Sequence, residues 1–166
     1  RSEAALEQLF RRHFDRLCEF AFRLSASHAS AEEIVIDLFH KLFADGAALG
    51  VPENVAAYLF AATRRRVLNH LRDTARRAHA ENLAGSTSAT SDVPTDGMRL
   101  ILFREMESEI DRLLQQLPPL RQLIFRLHRI EGLSHQEIAD VLEISPNTVK
   151  AQMADALRDL DRLRAM

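Results

Sequence analysis

Hydrophobic residues recur along this chain at three- and four-residue steps, the spacing of helices, and do not alternate over any useful length. Leu6, Leu9, Phe10, Phe14, Leu17 and Ala21 share one face of a helix predicted over about residues 3–25. After a polar break, Ser30 with Glu33 three residues on forms a capping box, in which hydroxyl and carboxylate satisfy each other's orphan amides. A second helix is predicted from there to about Ala44, and its stripe of Ile34, Val35, Leu38, Phe39, Leu42 and Phe43 is wider than one packing seam needs. Asp45-Gly46 ends it, because glycine takes the left-handed backbone that terminates helices. A loop closed by Pro52 and Asn54 leads to a third helix over about 53–78, with Val55, Leu59, Ala62, Val67, Leu68, Leu71 and Ala75 turned inward.

Residues 85–97 have almost no apolar content and no period, which predicts a flexible linker. Beyond it, Phe103, Met106, Ile110, Leu113, Leu114 and Leu117 predict a helix over about 99–116; Pro118-Pro119 breaks it, and Leu120, Leu123, Ile124 and Leu127 carry another to about Glu131. The last stretch is the most informative. Ser134 with Glu137 is a capping box, and Ser145-Pro146 is a hydroxyl N-cap followed by a proline whose fixed φ suits the first helical position. Ile138, Ala139 and Leu142, then Val149, Met153, Ala156, Leu160 and Leu163, give the two helices inward faces. That is a helix-turn-helix, with 145 onward as its recognition helix. The expected fold is therefore all-α: two small helical domains, 1–79 and 99–166, joined by a flexible linker over 80–98, the second containing the helix-turn-helix.

Charge sharpens this picture. The chain's formal net charge is −2, yet residues 59–79 hold six arginines (64, 65, 66, 72, 76, 77) against Asp73 alone. Arginines at that density repel one another unless a polyanion is near, whereas a merely solvated face interleaves acids at i±4. Residues 100–166 carry nine Lys/Arg against eleven Asp/Glu, so the domain holding the helix-turn-helix is itself slightly acidic.

The other function classes find little support. No run of about 18 apolar residues is present for a membrane span, and the start at Arg1 lacks the apolar stretch of a signal peptide. Cys18 is the only cysteine and falls on the apolar face of the first helix, so it reads as a buried hydrophobe in a reduced, cytoplasmic setting. The seven histidines never flank a glutamate at i, i+4, and there is no Gly-rich phosphate loop or nucleophile elbow. No catalytic residue, metal site, cofactor or small-molecule substrate is expected.

Ala31-Glu32-Glu33-Ile34-Val35-Ile36-Asp37-Leu38-Phe39-His40-Lys41-Leu42-Phe43, Tyr58 through Arg72, and Leu117-Pro118 through Lys150 together resemble the extracytoplasmic-function group of the sigma-70 family of bacterial sigma factors. The resemblance spans 5–163 and implies a factor that binds core RNA polymerase and directs promoter recognition, DNA melting and transcription initiation. It implies polymerase binding by the second helix, at Glu33, Asp37, Phe39, Lys41, Leu42 and Phe43, although Phe39 and Leu42 also suit a plain core. It implies minus-ten promoter binding by the loop and third helix, at Asn54, Arg64, Arg65, Arg66, Asn69, Arg72 and Arg76. It implies minus-thirty-five binding by the recognition helix, at Ser145, Pro146, Asn147, Thr148, Lys150 and Gln152, with Gln152 suited to adenine. An anti-sigma factor is a further implied partner.

Departures from the family pattern stand out. Arg65 replaces an asparagine and Asn69 an aspartate, both adding positive character. Ile36 replaces a glutamine; Gln152 and Asp155 stand where arginines are common. Glu143 occupies the turn position where glycine is usual, at a cost on the order of 1 kcal/mol if the backbone there is left-handed. A freestanding helix-turn-helix regulator does not need the arginine-rich helix. A degenerate sigma-like protein, binding polymerase or a regulator without strong DNA recognition, is the other alternative.

Overall fold

The computed structural model describes residues 2–46, 50, 52–84 and 109–166, and the chain divides into two compact units, Arg1–Val93 and Pro94–Met166. The described residues form seven helices and no strand. The 85–97 linker and the first part of the helix expected over 99–116 lie outside the described residues.

The first unit contains α1 (Ser2–Ser25), α2 (His28–Asp45) and α3 (Val55–Ala84). Its core is built from Leu17, Phe20 and Ala21 of α1, Val35, Leu38 and Phe39 of α2, and Leu59, Phe60 and Val67 of α3. Edge-on ring pairs tie these helices together, Phe10 to Phe39 and Phe20 to Phe60, each with centroids 5.1 Å apart. Cys18 is buried among them, as its position on the apolar face predicted.

Three sequence expectations need correction here. The capping box of Ser30 and Glu33 does not begin α2; Ser27 is the N-cap, its Oγ accepting from the Ser30 amide at 3.3 Å. The helix starts earlier because Ala26 turns the chain in a left-handed conformation (φ +57°) and the His28 ring then stacks on Phe22, centroids 3.7 Å apart. Gly46 does close α2 with positive φ, as expected. In α3, Leu71 is 38% exposed and Ala75 is exposed, so neither faces a core. The helix runs on to Ala84 rather than ending near 78, and every residue from Leu71 to Leu83 is exposed. Its second half stands clear of the three-helix core.

The second unit contains α4 (Glu109–Leu114), α5 (Pro119–Arg129), α6 (His135–Leu142) and α7 (Pro146–Ala165). Leu114, Leu117, Ile124, Leu127, Leu133, Ile138, Val149, Met153 and Ala156 fill its centre, and an Arg126–Asp111 ion pair (2.9 Å) links α5 to α4. The helix-turn-helix forms as the sequence dictates. The capping box at the start of α6 is complete, the Glu137 amide donating to Ser134 Oγ at 3.1 Å and the Ser134 amide to Glu137 Oε1 at 3.0 Å. Ser145 caps α7 by accepting from the Thr148 amide at 3.1 Å. Between the helices Glu143 takes φ +56° and ψ +46°, so the position does require the left-handed backbone that glycine would adopt without strain.

Candidate nucleic-acid interface

The basic surface of the first unit is generated by the pitch of one helix. At about 100° per residue, positions 58, 65, 69, 72 and 76 of α3 fall within about 30° of a common line. Tyr58, Arg65, Asn69, Arg72 and Arg76 therefore form a stripe down one side of α3, beginning against the core and continuing along its exposed half. Arg64 and Arg66 flank the stripe on either side, both half-buried.

Where the stripe begins, α3 and α2 enclose a cavity of about 510 Å³ lined by Leu38, Lys41, Leu42, Asp45, Tyr58, Ala62, Arg65, Arg66 and Asn69. Its size lies within the roughly 300–1,000 Å³ of small-molecule sites. Three cations, Lys41, Arg65 and Arg66, line it with one carboxylate, Asp45, and Tyr58 adds an aromatic wall. A phosphate with an attached base suits that lining: cations for the anion, a ring face for stacking, and an amide at Asn69 for a base edge. The cavity thus gathers Lys41 and Leu42 of the polymerase-directed set with Arg65, Arg66 and Asn69 of the minus-ten set. Tyr58 was not among the expected site residues, although its signal was available: it is the chain's one tyrosine, at a helical repeat from Arg65.

The remaining members of these sets are placed as follows. Glu33, Asp37 and Lys41 are exposed, and Phe43 shows 43% of its surface, unusual for phenylalanine. Phe39 is 1% exposed and packed edge-on against Phe10, and Leu42 is 8% exposed. Phe39 is a core residue and carries no surface contact; Leu42 is a wall of the cavity. Arg72 and Arg76 are exposed on the protruding part of α3. Asn54 has a structural duty, its Oδ1 accepting from the Ala57 amide at 3.1 Å to start α3.

On α7, Pro146, Asn147, Lys150, Ala151 and Ala154 are exposed along one face. Ser145 and Thr148 spend their hydroxyls on each other at 2.8 Å while Ser145 also caps the helix. Gln152 is half-buried, and its Oε1 accepts from Arg121 Nε at 3.2 Å. Asp155 pairs with both Arg121 and Arg158, and Asp159 pairs with Arg121 at 2.5 Å. Of the eleven acids in residues 100–166, Asp111, Asp155 and Asp159 are thus paired with arginines of the same unit.

Comparison with known proteins agrees with this arrangement. The family model described as Sigma-70 region 2 matches residues 9–77, and that described as Sigma-70, region 4 matches 107–160. The chain belongs to the extracytoplasmic-function group of the sigma-70 family. It is 28% identical over 160 residues to a Mycobacterium tuberculosis protein named "Probable ECF RNA polymerase sigma factor SigI", covering 93% of this chain and 54% of that one. It is 29% identical over 168 residues to "ECF RNA polymerase sigma factor SigL" of the same organism, covering 96% and 89%. The chain thus spans about half the length of the SigI relative it matches. Among solved structures, the sigma factor RpoE of Bartonella quintana, crystallised with the anti-sigma factor NepR, superposes with TM-score 0.61 at 19% identity, over 96% of both chains. CnrH, solved in complex with the cytosolic domain of CnrY, gives TM-score 0.56 at 21% identity, over 98% of this chain and 89% of that one. These two establish likeness of fold.

Proposed function

We propose that this protein binds core RNA polymerase and directs it to a class of promoters, opening the DNA at the minus-ten element. The observation that carries the reading is the α2–α3 cavity with the arginine stripe running out of it. In this mechanism the exposed Arg72 and Arg76 track the backbone of the promoter, and a base leaving the stack is received beside Tyr58, where Arg65 and Arg66 hold its phosphate and Asn69 meets its edge. The protein makes and breaks no covalent bond; the unpairing energy is offset by stacking and by counterion release.

Glu33, Asp37, Lys41 and Phe43, the exposed members of the α2 set, face the polymerase. Asn147 and Lys150 at the start of α7, the positive end of its dipole, face the minus-thirty-five element. The unit of α1–α3, whose last helix runs to Ala84 rather than stopping at 79, and the unit of α4–α7 act as the two promoter-binding domains, and the chain that joins them sets their effective concentration on DNA. Among the described residues no helix is long and apolar enough to cross a membrane, which is compatible with action in the cytoplasm. An anti-sigma factor that covers α2 and the stripe would silence both activities at once.

Run-off transcription with core polymerase on a genomic promoter library, with and without the chain, is the test. Stimulation at a sequence-related subset is expected. Stimulation nowhere, with polymerase binding retained, would replace this reading by that of a sigma-like regulator without promoter recognition.

A further inference from the structure

Arg121 belongs to none of the sets assigned above, yet it governs one of them. From α5 it reaches α7 with all three of its nitrogens, Nε to Gln152 Oε1 at 3.2 Å, one terminal nitrogen to Asp159 at 2.5 Å and the other to Asp155 at 3.4 Å. Gln152, Asp155 and Asp159 stand at i, i+3 and i+7, a single stripe of α7. The two aspartates fasten the plane of the guanidinium, and its Nε–H fastens the carboxamide. Because guanidinium has donors and no acceptor, the carboxamide atom that meets it is the oxygen; the partner's chemistry fixes the orientation of the amide.

That orientation decides what Gln152 can read. Adenine is recognised by glutamine through two bonds made together, the amide oxygen accepting from N6 and the amide nitrogen donating to N7. Here the oxygen is engaged by Arg121 of α5, so the NH₂ is the end of the amide left to meet a base. Guanine, with N7 and O6, and thymine, with O4, present acceptors that such an end can satisfy, whereas adenine sets its N7 beside an N6 amino donor that a donor-only group repels and leaves unpaired.

We infer that Arg121 is a specificity-determining positioning residue, which turns Gln152 into a donor-only reader that selects guanine or thymine over adenine at one position of the minus-thirty-five element. This rests on the proposed reading of α7 as a promoter-facing helix, and it reverses the adenine pairing expected from the sequence.

The test is transcription by core polymerase and the full chain from a library randomised over the minus-thirty-five element. It compares the natural sequence with Arg121→Gln/Asp159→Asn, which keeps the net charge, and with Gln152→Ala; thermal melts by circular dichroism confirm folding. In the natural protein one position favours guanine or thymine. The double variant raises use of adenine there by about fivefold or more relative to those bases, and Gln152→Ala flattens the preference at the same position. Arg121→Lys, which retains the charge opposite Asp155 and Asp159 but has no Nε–H, shows the same shift and serves if the double variant does not fold. A merely structural role lowers all promoters alike, so a uniform fall with unaltered base preferences overturns the inference and leaves the promoter reading of α7 standing. No dependence on the minus-thirty-five element in the natural protein overturns both.

Discussion

Glu143 offers a measurement of backbone strain at the centre of the DNA-reading motif. Its φ of +56° and ψ of +46° lie in the left-handed region, where an L-residue with a Cβ pays roughly 1–2 kcal/mol. Glycine avoids that strain but gains freedom in the unfolded chain, which offsets about 0.4–1 kcal/mol. Comparing Glu143→Gly with Glu143→Ala isolates the backbone, because both variants lose the same exposed side chain and whatever it contacts. The difference should favour glycine by about 0.5–1 kcal/mol. The chain has two units, so a single global melt mixes them. Native-state hydrogen exchange on peptides covering α6 and α7 reads the local opening free energy, and protection should rank glycine above alanine by a factor of about 2–5. Equal protection, or alanine above glycine, would refute the strain argument and with it the claim that this turn is held against its own backbone preference.

Other expectations follow from burial and charge. Phe39→Ala, at a core position, should destabilise the first unit by about 3–5 kcal/mol, whereas Phe43→Ala should leave its melting temperature nearly unchanged while weakening polymerase capture in a pull-down. Replacing both Arg72 and Arg76 with alanine should reduce the slope of log affinity against log salt by about 2 for promoter DNA, with no loss of helical content. His13 is 8% exposed, its Nδ1 is buried without a hydrogen-bond partner among the described residues, and burial, followed by the Arg12 and Arg16 charges, holds its pKa below the ordinary 6.5. The unfolded chain then takes up the proton first, so stability contributed here is full above about pH 6.5 and is lost as pH falls below it. The melting temperature of the first unit should drop between pH 7 and pH 5.5, and His13→Gln should flatten that drop.

Helix type, the capping box at Ser134, the cap at Ser145 and the end of α2 at Gly46 were legible because each is decided within a few residues. The start of α2 was not, since Ser27 and Ser30 both satisfy the local pattern and the choice falls to the Phe22–His28 stack and the turn at Ala26. Leu71 and Ala75 kept the apolar period of α3 beyond the point where any partner helix remains, so periodicity alone placed them inward. Phe39 and Phe43 both suit the second helix's apolar stripe; only packing separates the buried ring from the exposed one. Gln152 is the largest gap, because Arg121 is 31 residues away in sequence and its grip on the amide has no local signature. The charge count of the second domain likewise gives a sum and no arrangement, so the pairing of Asp155 and Asp159 with Arg121 has no trace in it.

The exposed half of α3, from Leu71 to Leu83, buries no face against the core, and so the folding of the unit places almost no demand on which residues stand there. A substitution on this segment changes what it touches without threatening the three-helix core. Binding preference can therefore drift here at little cost in stability, which makes this rod the part of the molecule most open to evolutionary retuning.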